Sequence, residues 1–252
     1  MRRTVVAVAL AIAPAALVAQ GPRSAREAAP VDLTGQWVSV ISEDWRWRMV
    51  TPIRGDFASL PLNMAGIKAG QAWDPARDEA GGQQCRGYGA AAIMRLPTRV
   101  RISWQDGNTL KLETDTGMQT RRFHFTGAVP PQTPASWQGY SVANWERPLR
   151  GAAPQNAIPV FAGRAAPRGK SLEVTTTRLR AGYLRKNGAP HSEQAVVTEF
   201  YDVRRHPDGE EWFTVTTIVR DPVYLDGPFV TSSDFRKDTA TAGWRPAPCE
   251  AR

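Results

Sequence analysis

The fold is decided by residues 188–229, GAPHSEQAVVTEFYDVRRHPDGEEWFTVTTIVRDPVYLDGPF. Two runs within it, Gln194–Arg205 and Glu211–Arg220, are rich in Val, Thr, Phe, Tyr and Trp, which are the residues enriched in β-strands. The turn between them contains Pro207-Asp208-Gly209, which supplies a fixed φ and then a residue that tolerates positive φ. We therefore predict a long antiparallel β-hairpin.

One carboxylate lies inside this hairpin. Side chains alternate between the two faces of a strand, so Glu199 shares a face with Val197 and Tyr201. A carboxylate with such neighbours is either paired with a cation or perturbed in its pKa. Glu199 is therefore a candidate functional residue, and an ion pair with an Arg of an adjacent strand is the structural alternative.

Similar alternating segments occur on both sides of the hairpin, between turns rich in Gly and Pro. Helix-forming runs are scarce, and residues 62–73 are the segment most typical of a short helix. The pattern predicts an all-β fold, either an antiparallel lipocalin-like barrel or a pair of β-meanders, with one or two short helices. The further predicted strands are 37–50, 99–104, 109–114, 118–125, 137–146, 172–179 and 229–237.

The first residues have the organisation of an export signal. Met1-Arg2-Arg3 precedes a short apolar run, and a cleavage position follows at Ala19. We predict a signal peptide at 1–19, a flexible linker at 20–31 and a single β domain at 32–249, in a periplasmic or secreted protein. The Pro-rich stretch 129–136 is a candidate sub-boundary, and 149–170 is predicted to be a long surface insertion.

The two cysteines, Cys85 and Cys249, lie far apart in the sequence. Export would place them in an oxidising compartment, where a disulfide could pin the carboxyl-terminal tail. We predict that they pair, and two unrelated buried thiols are the alternative.

The formal net charge of +8 comes from arginines and lysines that are spread along the chain. Nucleic-acid binding would require a basic stripe with interleaved aromatic residues, so no nucleic-acid partner is predicted. The first apolar run is too short for a membrane span, and no stable membrane insertion is predicted. The charge is compatible with anionic small molecules or an anionic envelope surface as partners, but an ordinary solvated surface is the interpretation that this spread of charges favours. The sequence leaves the oligomeric state open.

Residues 37–50 suggest a binding face. If they form one unbulged strand, Glu43, Trp45 and Trp47 lie on the same side of it. Burial beside Trp would raise the pKa of the Glu43 carboxyl and could make it a general acid. A single β-bulge would reverse the alternation and remove this prediction.

A second set of candidates surrounds the hairpin. His191, Glu199 and Glu146 are the candidate catalytic residues, since a neutral His near a carboxylate is a competent base near pH 7. In the alternative, the carboxylates pair with arginines and His191 caps a turn. The sequence contains no motif for a metal, a phosphate loop or a dinucleotide, and no cofactor is predicted. The other candidate ligand-binding residues are Trp137, Trp145, Tyr183, Tyr201, Arg122 and His124.

Several strings resemble a widespread family of exported bacterial proteins with no settled activity. They are EDWRWRM, Cys85 with IMRLP, GYSVANWE, SLEVTTTRL, GAPHSEQAVVTEFYDV and TIVRDPVYLDGPF. The resemblance covers most of residues 32–249 and implies a lipocalin-like β architecture and an export signal. It implies no activity, and the 149–170 insertion departs from the family pattern.

Two functions fit these observations. The first is a periplasmic or secreted barrel that binds a small apolar or aromatic molecule, which could be anionic. The second is a cofactor-free acid–base enzyme, such as a lyase, isomerase or hydratase, with the His and Glu candidates in its cavity. An envelope or partner-binding protein, a third alternative, would show an exposed aromatic patch instead of a lined pocket.

Overall fold

The computed structural model describes residues 23–146, 171–240 and 243–252. The predicted signal peptide at 1–19 and the predicted insertion at 149–170 lie outside these ranges. Within them, no helix is both long and apolar enough to cross a membrane.

The described residues form an all-β fold, as predicted. Its strands are β1 Gly35–Val40, β2 Arg99–Trp104, β3 Thr109–Thr114, β4 Thr120–His124, β5 Tyr140–Trp145, β6 Leu172–Thr177, β7 Gly182–Arg185, β8 Ala189–His191, β9 Val196–Arg205, β10 Glu211–Arg220 and β11 Phe229–Lys237. Nine of them close a barrel in the order β1-β11-β10-β9-β6-β5-β4-β3-β2, whereas β7 and β8 pair separately. Strands from both sides of the stretch 129–136 belong to this one barrel.

The barrel is antiparallel except at one place. β9 and β10 pair from Arg205 opposite Glu211 to Val196 opposite Arg220, which confirms the predicted hairpin. β4 and β5 pair in parallel instead, with Phe123 opposite Ser141. The connection between them, 125–139, is long enough to return the chain to the same end of the barrel, as a parallel pair requires.

The described ranges also contain three short α-helices outside the barrel strands: α1 Trp45–Arg48, α2 Met64–Gln71 and α3 Pro75–Ala80. The helix expected at 62–73 is α2, and Asn63 caps it by accepting a hydrogen bond from the backbone N–H of Gly66. Two 3₁₀ helices, Gln84–Tyr88 and Ile93–Arg95, follow α3.

The predicted strand 37–50 is wrong beyond Val40. Asp44 adopts the left-handed conformation with φ 52°, which Asp tolerates better than most residues, and α1 begins directly after it. Glu43, Trp45 and Trp47 therefore do not share a strand face. The alternating pattern of residues beyond Val40 belongs to a loop followed by a single turn of α-helix. The pattern alone did not distinguish this arrangement from a strand.

Aromatic side chains fill the middle of the barrel. The Phe213 ring meets Trp37 edge-on at 4.9 Å and stacks on Phe235 at 4.7 Å between centroids, and Phe123 and Tyr201 pack beside them. A second apolar cluster, which includes Leu184, Leu225 and Phe229, lies between the β7–β8 hairpin and the barrel wall.

The predicted disulfide is present between Cys85 and Cys249. It joins the first 3₁₀ helix to the carboxyl-terminal tail across 164 residues of sequence. The tail also contacts Tyr88, whose hydroxyl accepts a hydrogen bond from the backbone N–H of Glu250.

Candidate functional site

Three buried arginines meet at one end of the molecule. Arg48 ends α1, Arg95 ends the second 3₁₀ helix and Arg185 ends β7. All three line one cavity together with Trp47 and Lys186. We call Arg48, Arg95 and Arg185 the three-arginine site.

Arg48 and Arg95 are partly paired within the protein. Arg48 donates from Nε to the carbonyl oxygen of Arg95 at 2.8 Å and forms an ion pair with Glu43. Arg95 donates from Nη2 to the Asp44 carboxylate at 2.9 Å. Each keeps a buried nitrogen without a protein partner, Nη2 of Arg48 and Nε of Arg95. The turn at 43–44 thus supplies one carboxylate to Arg48 and one to Arg95. Each of the two guanidinium groups still has a buried N–H donor without a protein partner.

Arg185 differs from both of them. Its side chain is only 3% exposed, yet Nε, Nη1 and Nη2 all lack a hydrogen-bond partner. Its guanidinium lies over the Trp47 ring, 5.0 Å from the centroid. A guanidinium has five N–H donors, and leaving such a buried charged group unsatisfied costs several kcal/mol. Arg185 is therefore the residue whose environment is incomplete without an external acceptor.

The cavity beside these arginines is small, with a volume of about 30 Å³. That is room for about two water molecules or for two oxygens of one oxyanion. Its wall also contains apolar groups, since Val50, Pro52 and Leu184 line it. An anionic group attached to an apolar body would match both parts of this wall.

The electrostatics of the site favour an anion. Burial, and then the positive charge of Arg185, lower the pKa of Arg95 to about 10, although the Asp44 carboxylate opposes the shift. Burial also lowers the pKa of Arg48 and of Arg185. All three remain protonated at neutral pH because their normal pKa is far higher. An anion bound among the three guanidinium groups would offset both the cost of burying their charges and their mutual repulsion.

A second cleft, of about 150 Å³, lies between α2, α3 and the β7–β8 hairpin. Buried His191 lines it, and its Nδ1 donates to the carbonyl oxygen of Ser192 at 3.1 Å, which leaves Nε2 as an acceptor. Burial lowers the pKa of His191, so the ring is neutral near pH 7. Nearby, the Tyr183 hydroxyl donates to Asp78 at 2.6 Å, and burial together with this bond raises its pKa.

The other candidate catalytic residues have different neighbours. Glu199 is fully buried in the barrel, where it receives two hydrogen bonds from Arg121, at 2.8 and 2.5 Å, and one from the Tyr201 hydroxyl at 3.2 Å. Glu146 follows β5, and its backbone N–H donates to Ser171. Among the described residues, no hydrogen bond joins His191, Glu199 and Glu146.

The candidate aromatic residues also occupy separate environments. Trp145 donates from Nε1 to the carbonyl oxygen of Ala25, and the Arg180 guanidinium covers Trp137 at 4.5 Å. Tyr183 lies in the second cleft, whereas Tyr201 lies in the barrel core.

On β4, Arg122 donates to Gln105 and His124 stacks on Tyr140 at 4.5 Å. Burial, and then the charge of Arg122, lower the pKa of His124. In the part of the chain that is described, no group of three metal-ligating side chains could hold a metal ion.

Glu43 and Trp47 were predicted from the sequence as candidate site residues, whereas the three arginines beside them were not. Each of the three arginines directly follows an apolar residue, in WRWRM, IMRLP and YLRK. A charged residue beside apolar residues is a candidate buried charge, but the sequence does not show that these three positions meet.

Comparisons with protein-family models, with curated proteins and with solved structures found no match. The function is therefore inferred from the geometry of the site.

Proposed function

We propose that this protein is an exported β-barrel protein that binds a small organic anion at the three-arginine site. The observation that carries the proposal is Arg185, a buried guanidinium whose three nitrogens have no protein partner. Carboxylates and phosphates match a guanidinium in geometry and form its strongest hydrogen bonds. Trp47 and Val50 in the wall favour a ligand with an apolar or aromatic part.

Export is part of the same proposal. The basic and apolar residues at 1–19, the Cys85–Cys249 disulfide and the resemblance of several strings to exported proteins support it. The barrel supplies a rigid scaffold, and the ligand is held at its end, where α1, the second 3₁₀ helix and β7 meet.

Calorimetric titration with inorganic phosphate and with benzoate tests the proposal. Wild-type protein is expected to bind at least one of them, and Arg185→Gln is expected to weaken binding by about tenfold to a hundredfold, the effect of losing a charged hydrogen bond. Arg220→Gln is the matched control, because Arg220 is exposed at the end of β10. No binding by wild type, or equal binding by both variants, would contradict the proposal.

An acid–base enzyme is the second candidate, and the neutral imidazole of His191 favours it. Its Nε2 carries no hydrogen bond to the described residues and lines a cleft with Arg86, whose charge could stabilise a developing anion. Incubating small carbonyl compounds with the protein in D₂O and measuring deuterium uptake by NMR tests it. Uptake that persists in His191→Gln, or no uptake with wild type, would count against this candidate.

A further inference from the structure

Exposed apolar residues are concentrated beside the three-arginine site. Trp45, Met49, Val50 and Ile53 are 65%, 56%, 69% and 77% exposed. We call these four residues the apolar rim. The other large exposed apolar side chains among the described residues lie elsewhere in the chain: Met64 on α2, Met118 between β3 and β4, and Val230 on β11. Single exposed apolar residues are ordinary, but four within nine positions indicate a binding surface.

The rim is continuous with the arginine cavity. Val50 belongs to both, and Trp47, Thr51 and Pro52 of the same segment also line the cavity. Arg48, in the same segment as the rim residues, points inward to the three-arginine site. A ligand whose anionic group reached Arg185 would therefore place its remaining atoms next to the rim.

The charge around the rim is predominantly basic. The segment 43–56 and the cavity wall carry six basic side chains and three acidic ones. The acidic ones are already engaged, Glu43 by Arg48, Asp44 by Arg95 and Asp56 by Arg46. Arg54 is exposed beside Ile53, and Lys186 lines the cavity. The surface that surrounds the rim thus complements a negatively charged partner.

We propose that the three-arginine site takes the phosphate of an anionic phospholipid while the apolar rim rests in the bilayer surface. This inference rests on the proposed function and names its ligand. Exposed Trp and aliphatic side chains flanked by Lys and Arg are the residues that anchor proteins at the membrane interface. Juxtaposed basic residues draw such a surface to anionic lipid. A phosphodiester on the lipid supplies the acceptor that Arg185 lacks.

Vesicle co-sedimentation of the full chain without its predicted signal peptide tests the inference. The vesicles are phosphatidylcholine alone or phosphatidylcholine with phosphatidylglycerol. Wild-type protein is expected to bind only the anionic vesicles, and less at high salt because the attraction is screened. The double variant Trp45→Ser/Ile53→Ser is expected to bind at least about tenfold more weakly. Met118→Ser and Val230→Ser, at exposed positions away from the rim, are expected to bind as wild type does.

The phosphate titration separates the two proposals. The rim variant is expected to bind inorganic phosphate as wild type does, because the rim changes leave the arginines in place. Phosphate binding without vesicle binding would overturn the lipid inference and leave the proposed function standing. Vesicle binding that Arg185→Gln leaves unchanged would also overturn the inference, since the headgroup would then lie elsewhere. Absence of both phosphate and benzoate binding in wild type would refute the proposed function itself.

A second copy of the chain is the competing occupant of the rim. Sedimentation equilibrium without lipid distinguishes it. A dimer that Trp45→Ser/Ile53→Ser abolishes, combined with no vesicle binding, would overturn the lipid inference in favour of self-association.

Tryptophan fluorescence reports directly on the rim. The difference between the emission spectra of wild type and Trp45→Phe is the emission of Trp45. That emission is expected to shift to shorter wavelength with anionic vesicles and to stay unshifted with phosphatidylcholine alone.

Discussion

Arg121 in the barrel and Arg185 at its end are both buried, and their surroundings are opposite. Arg121 donates two hydrogen bonds to Glu199, and Thr176 and Tyr201 lie within 3.3 and 3.5 Å of it. Burial alone would lower the pKa of Arg121, but Glu199 raises it above its ordinary value. The pKa of Arg185 is lowered by burial, which the carboxylates of Asp44 and Asp56 only partly oppose.

Whether a buried charge is fully paired within the protein separates a structural charge from a functional one. A buried ion pair that is complete within the protein holds strands together, as β4 and β9 are held across two intervening strands. A buried cation with no hydrogen-bond acceptor weakens the free protein and gains from an external anion. Substitutions at the two arginines should therefore change stability in opposite directions.

The largest effect is expected in the barrel. Arg121→Leu should lower the free energy of unfolding by about 3–5 kcal/mol, because it leaves the Glu199 carboxylate buried and unpaired. Denaturant unfolding measures this. The double variant Arg121→Leu/Glu199→Leu should recover much of the loss, since neither charge remains. A loss below about 1 kcal/mol in the single variant would show that Glu199 is solvated or otherwise paired.

The disulfide lies outside the surroundings of Arg121 and of Arg185. Removing it should therefore change stability without changing anion binding. Cys249→Ser should lower the free energy of unfolding by about 2–5 kcal/mol, because the bond closes a long loop. Anion binding at 25 °C should remain unchanged, since the tail contacts Tyr88 and Gly117 rather than the three arginines. Loss of binding in the folded variant would indicate that the tail positions the site.

Arg185→Met should raise stability. Removing an unpaired buried charge while keeping an apolar side chain of similar length should increase the free energy of unfolding by about 1–3 kcal/mol. Phosphate should raise the melting temperature of wild type more than that of the variant, whose binding is weaker. Thermal unfolding with and without phosphate measures both. Destabilisation by Arg185→Met would mean that Arg185 contributes packing or pairing that outweighs its burial.

The sequence predicted the scaffold better than the site. The β9–β10 hairpin, the closing strand 229–237 and the disulfide follow from residue alternation, Pro-Asp-Gly and the only two cysteines. The parallel pairing of β4 with β5 could not be predicted, because it depends on how the barrel closes.

The three-arginine site was also beyond the sequence. It brings together positions 48, 95 and 185, which only the tertiary fold makes neighbours. Glu199 was recognised as paired or perturbed, but its partner was expected on an adjacent strand and lies on β4, across two intervening strands. Local alternation thus predicted which groups are buried and not which groups meet.

His191 is also buried, but unlike Arg121 and Arg185 it is neutral. Its pKa is lowered by burial and by the charge of Arg86, while the Ser192 carbonyl and Asp221 oppose the shift. The unfolded chain binds a proton near pH 6.5 and the folded protein only at lower pH, so stability should fall as pH drops below about 6.5. One proton limits this slope to about 1.4 kcal/mol per pH unit.

Denaturant unfolding between pH 5 and 8 should show this slope in wild type and a smaller one in His191→Gln. His124, whose pKa is also lowered, is present in both proteins, so their difference isolates His191. An unchanged slope would mean that His191 gains a proton in the folded protein as easily as in the unfolded chain. The ring would then be open to water through the second cleft, and burial would no longer explain its neutral state.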